Sequence, residues 1–179
     1  HDSLSPLPAP FFWLHIKKCG GGSVRPLLSP WYVGAERIKR PVNFIQSDPK
    51  FYNDILNNFR IPLGDYQFRR ALFAKTFLYP DSWDDMVRFA FVRNPVDRVV
   101  SAFHYLSHPR GVERSFIQHL TEDGQSIPVD ISSIFDLFLD FVEQARQSPS
   151  VYTPVNLHFT THTAPVWDDI CDADGQIIL

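Results

Sequence analysis

The chain has 179 residues, 44% of them hydrophobic and 21% charged, with a formal net charge of −3, which is the composition of a folded globular domain and excludes a disordered one. This length supports one sizeable core, so a single domain over residues 1–179 is expected, and no apolar run approaches the ~18 residues that cross a bilayer. Charge is uneven: residues 1–119 carry 16 Lys and Arg against 10 Asp and Glu, and residues 120–179 carry one against 10, so an anionic ligand fits the first two-thirds.

Residues 1–10 read as a proline-rich, poorly structured leader without the features of a signal peptide. The start at His1 and the apolar end Ile177, Ile178, Leu179 lead to the expectation that the chain is truncated. Phe11 to Ile16 is a continuous apolar run, predicting a strand buried on both faces. It leads into Lys17, Lys18, Cys19, Gly20, Gly21, Gly22 and Ser23, where glycines permit a tight turn and Ser23 is a predicted cap for a helix of about two turns, limited by Pro26 and Pro30. A helix is expected at 49–58 and helical spacing over 66–78 and 82–86. Val87 to Val92 reads as a second buried strand, ended by Arg93, Asn94 and Pro95. Apolar positions 96, 99, 100, 103 and 106 mark one helix face. Further on come a helix plus turn at 110–125, an amphipathic helix at 134–145, loop-like residues 146–165 and a turn at Asp174-Gly175 before a last strand. Alternating strands and helices predict an α/β fold with a parallel sheet.

The strand, glycine turn and helix make a phosphate cradle, because successive backbone N–H groups meet the positive end of a helix dipole. Lys18 adds a full charge and Ser23 a hydroxyl. In the commonest phosphate loop the lysine follows the glycines; here it precedes them, and no second strand ends in a magnesium-holding acid, which disfavours an ATP or GTP hydrolase. A second constellation lies in Phe89 to Phe103: Arg93 ends a strand at the crevice where α/β folds bind ligands, and Ser101 lies two turns along the next helix. A guanidinium there suits a dianionic phosphate, whereas Arg98 reads as a structural partner for Asp97 or another helix carboxylate.

The first segment, His15-Ile16-Lys17-Lys18-Cys19-Gly20-Gly21-Gly22-Ser23, resembles the phosphosulfate loop HIPKTGGTS of carbohydrate-type sulfotransferases at six of nine positions, departing at Lys17, Cys19 and Gly22. The Arg93 and Ser101 pair resembles that family's site for the 3′-phosphate of 3′-phosphoadenosine 5′-phosphosulfate (PAPS). A weaker likeness joins His162, Thr163, Ala164 and Pro165 to Cys171, Asp172 and Gly175, with Val166 where the family often has Gln. The resemblance implies a P-loop-like three-layer α/β fold and in-line transfer of the sulfuryl group from PAPS to a hydroxyl, on a glycan acceptor. It implies residues 17–23, Arg93 and Ser101 as donor-binding, Lys18 as stabilising the leaving phosphate of the product adenosine 3′,5′-bisphosphate (PAP), and no metal. It leaves the general base open among His162, which leads, His158, His104 and Glu36.

Two other readings remain: a nucleotide kinase or phosphotransferase with the same loop architecture, and a non-catalytic nucleotide-binding or partner-binding domain. Trp31, Tyr32, Trp83 and Trp167 are read as core packing ahead of ligand stacking. Histidine and cysteine spacing disfavours zinc, and the lack of a basic tract interleaved with aromatics disfavours nucleic acid. Only Cys19 and Cys171 are present, which fits a reducing compartment. The resemblance implies the cytoplasm for a bacterial chain and the Golgi lumen for a eukaryotic one.

Overall fold

A computed structural model describes residues 10–28, 44–45, 63–107, 117, 124, 130–147 and 154–179, without the side chains of residues 25, 44, 45 and 154–158. The helix expected at 49–58 and the helix plus turn at 110–125 lie outside these, as do Glu36, Trp31 and Tyr32. The chain forms two compact units, one of residues 1–92 with 165–179 and one of residues 93–164.

In the first unit, strand β1 (Phe11–Leu14) is central in a sheet of three strands among the described residues, between β2 (Phe44–Ile45) and β3 (Val87–Ala90). The β1–β3 pairing is parallel with Leu14 opposite Ala90, as expected, but β2 runs antiparallel to β1, so the sheet is mixed. Phe11 to Ile16 are all buried, as expected. Strand β3 departs from expectation: among the described residues it is an edge strand that stops at Ala90, with Val92 beyond its end, and Val87 and Val92 are 56% and 65% exposed. Phe12 meets the rings of Trp83 and Tyr79 at 5.2 and 5.7 Å, and Leu14 and Ile16 join them in one apolar cluster with Ala71 and Ala74.

Helix α1 spans Gly21–Leu28, the expected two turns, but begins two residues before the predicted cap. Ser23 therefore stands inside the first turn, and Pro26 lies mid-helix, where it withholds the N–H that would reach the Gly22 carbonyl. The helical spacing at 66–78 becomes a short 3₁₀ turn (Gly64–Tyr66), helix α2 (Arg70–Phe73) and a π-helical extension (Ala74–Leu78), and Trp83–Asp85 form another 3₁₀ turn. The expected last strand reduces to a single bridge between Cys171 and Ile177.

Among the described residues the second unit is helical. Helix α3 (Pro95–Ser107) opens with Pro95, and the Asn94 side chain accepts from the Val96 N–H at 2.9 Å. Helix α4 (Ile131–Gln147) lines up Ile134, Phe135, Phe138, Phe141, Val142 and Ala145, one face at helical spacing, against Phe103, Leu106 and Phe159. The stretch read as loop at 146–165 contains helix α5 (Pro154–Thr163); its apolar and polar residues show no helical segregation, which hid it from a periodicity reading.

Asp130 caps α4: its carboxylate accepts from the Ser133 backbone N–H and hydroxyl, both at 2.8 Å. These bonds, the backbone one first, hold its carboxyl below the ordinary carboxylate range. A carboxyl lowered in the folded state contributes stability above its unfolded value, and that contribution is lost as pH falls through the folded one. Acidification from neutral pH to pH 3 is accordingly expected to lower the melting temperature more in the wild type than in Asp130→Ala. Parallel declines would refute the cap's role.

Candidate functional site

The bend after β1 is built from a few backbone constraints. Cys19 N–H donates to the Ile16 carbonyl at 3.3 Å, closing a turn over Lys17 and Lys18. Lys18 has φ +63° and Gly20 φ +83°. The left-handed region is free to glycine but disfavoured by about 1–2 kcal/mol for a residue with a Cβ, so Lys18 is held there by its surroundings. The Gly20 carbonyl then accepts from Ser23 and Val24 at 2.9 and 3.1 Å, which starts α1. The N–H groups of Gly21 and Gly22, in the first turn, have no acceptor within the helix. They stand at the positive end of its dipole, with half-exposed Lys17 and Lys18 in the adjoining turn. Gly22 and Ser23 are exposed and Cys19 is buried.

Gly21 is required for a different reason. A Cβ there would fall inside the imidazole of His15, which is itself buried and lies 5.3 Å from the Trp13 ring. The residue preceding the bend thus sits directly on the first residue of the helix that follows it.

His15 is fixed from a third direction. The Arg70 guanidinium donates from Nη1 to the His15 carbonyl at 3.2 Å and grips both oxygens of Asp169, Nε to Oδ1 at 3.0 Å and Nη2 to Oδ2 at 2.7 Å. The Arg70 backbone N–H, at the head of α2, also donates to Asp169 at 3.2 Å. Both side chains are buried. Asp169 belongs to helix α6 (Val166–Ile170), so the network joins the strand end, α2 and α6. Neither residue belongs to a motif in the sequence. They are 99 positions apart, and an Arg in one helical segment and an Asp in another carry no joint signal.

The remaining candidates divide by role. Arg93 is exposed just before α3, and Ser101 is half-buried two turns along that helix. Arg98, between them in sequence, is buried and donates to the Ala164 backbone carbonyl at 2.6 Å, where the sequence suggested a carboxylate partner. His162 is 5% exposed and its ring stacks on Tyr105 with centroids 4.9 Å apart. His104 is exposed; the side chain of His158 lies outside the described residues. Trp83 is core and Trp167 is on the surface.

The segment after Pro165 is architectural. Asp172 accepts from the Asp174 and Gln176 N–H groups at 3.0 and 2.8 Å, and Gly175 turns the chain at φ +76°. Burial first, then the charges of Asp172 and Asp168, push the Cys171 thiol up from its ordinary range, so it stays protonated and inert at neutral pH. Among the described residues no three His, Cys, Asp or Glu side chains are gathered as a metal site, and no helix is long and apolar enough to cross a membrane.

A model described as the sulfotransferase family matches residues 9–178, which takes in the bend, both strand ends and the Asp172 turn. No curated protein and no solved structure matches the chain.

Proposed function

The chain belongs to the sulfotransferase family, and on that premise we propose that it moves the sulfuryl group of PAPS to a hydroxyl of a carbohydrate acceptor. The observation that carries this reading is the head of α1, where the Gly21 and Gly22 amides lie outside the helical ladder and Lys17 and Lys18 adjoin them. Such a cradle suits the 5′-phosphate end of the donor. We assign the 3′-phosphate to Arg93 and Ser101, whose guanidinium and hydroxyl offer charge-assisted and neutral hydrogen bonds to a dianion. A P-loop-like three-layer fold belongs to the same reading. The carbohydrate acceptor rests on the likeness of residues 162–175 to carbohydrate-type relatives.

When bound, the donor supplies the sulfuryl group. The protein's part is alignment and charge stabilisation: Lys18 and the loop amides neutralise charge growing on the oxygen that leaves with the 5′-phosphate. His162 is the proton acceptor that the resemblance favours, and its buried position on Tyr105 equally suits a packing role.

Thermal unfolding with PAP against ATP and magnesium tests the reading. PAP at a hundred times its Kd is expected to stabilise the protein by about 2.7 kcal/mol. Stabilisation by ATP and magnesium with none by PAP would assign it to the phosphotransferases. Transfer from PAPS to a glycan panel then tests turnover, and an unchanged pH profile in His162→Ala removes that residue as the base.

A further inference from the structure

We propose that Arg70 and Asp169 are positioning residues for the glycine bend, holding its amides in place through the backbone of His15. The inference relies on the donor-binding reading for its effect on affinity, and on geometry alone for its effect on the bend.

The chain of contacts is short and continuous. Asp169 fixes the Arg70 guanidinium in a bidentate pair, which leaves Nη1 aimed at the His15 carbonyl. Holding that carbonyl fixes where the His15 side chain leaves the backbone. The imidazole then lies against Gly21, close enough to exclude a methyl group. Gly21 is the first residue of α1 and owns one of the amides outside the ladder. Both ends of the bend, residue 15 and residue 21, are thereby referred to one buried ion pair.

An arginine suits this place better than a lysine. A guanidinium can satisfy a carboxylate with two parallel N–H groups and still present a third to a carbonyl in another direction, whereas an ammonium is a single point of charge. An ion pair serving only to hold α2 against α6 would have no use for that third donor. Buried ion pairs contribute little net stability relative to apolar replacements, so the stability and the positioning roles can be separated by substitution.

Arg70→Lys keeps the charge, and the double variant Arg70→Met/Asp169→Leu replaces the pair with apolar side chains; both are compared with Asp84→Asn, which removes an exposed ion pair with Arg88. The readouts are hydrogen exchange at the Cys19, Ser23 and Val24 amides and the Kd for PAP. In either Arg70 variant that folds, exchange at those three amides is expected to rise roughly tenfold, the scale of one hydrogen bond in a local opening equilibrium, with the β1–β3 ladder unchanged. PAP affinity should fall by a similar factor, and Asp84→Asn should alter neither. Exchange at the three amides that rises no more than in the ladder overturns the proposal. Should both Arg70 variants fail to fold, Asp84→Asn folding normally, the pair is a folding determinant and the positioning role is likewise rejected. Faster exchange in the bend with a wild type that does not bind PAP upholds the positioning role and rejects the donor reading.

Discussion

Lys18→Ala and Arg93→Ala are each expected to weaken PAP binding by about 10- to 100-fold, the span of one lost hydrogen bond to a charged group. Fold should survive in both. Arg93 is exposed, and Ala at position 18 takes on the same left-handed backbone that Lys18 already bears, so neither change opens a cavity in a core. Lys18→Gly sharpens the test, because glycine accepts φ +63° freely while deleting the charge. Its affinity should match that of Lys18→Ala. Isothermal titration with PAP measures all three, and wild-type affinity in any of them would remove that side chain from the donor site. The same titration repeated at rising salt should show the variants' deficit shrinking where the lost contact is exposed to solvent.

Gly21→Ala is expected to lower stability by about 1–3 kcal/mol, since the added methyl must displace a buried ring. Chemical denaturation of a double-mutant cycle identifies the cause. With His15→Ala in place the methyl has room, and Gly21→Ala should then be close to neutral. Additive losses would show that something other than the imidazole dictates glycine there. This requirement differs from that at Gly20, whose φ of +83° alone disfavours a side chain, and from Gly22, which faces open space. Three consecutive glycines thus reflect two separate constraints and one position free of both.

How much of this could be read from residues alone follows the range of the forces involved. The buried strand at Phe11 to Leu14, the bend, the opening of α3 at Pro95 and the apolar face of α4 are local patterns, and all are present. The exposure of Val87 and Val92 does not follow from their sequence, because hydrophobicity marks a strand without saying what covers it. Helix α5 leaves no periodic signal because it has no segregated apolar stripe. The third donor of Arg70 was beyond reach altogether: it depends on a carboxylate 99 residues away and a carbonyl 55 residues away, and neither distance leaves a trace in spacing.

That reach has a consequence for biogenesis. A ribosome delivers Asp169 about 150 residues after His15 and its glycines, so throughout that interval a nascent chain carries the glycine turn without the carboxylate that steadies Arg70. Termination between the end of the bend and residue 169 would therefore leave a polypeptide that has every residue of the glycine turn and lacks the carboxylate that fixes Arg70 beside it.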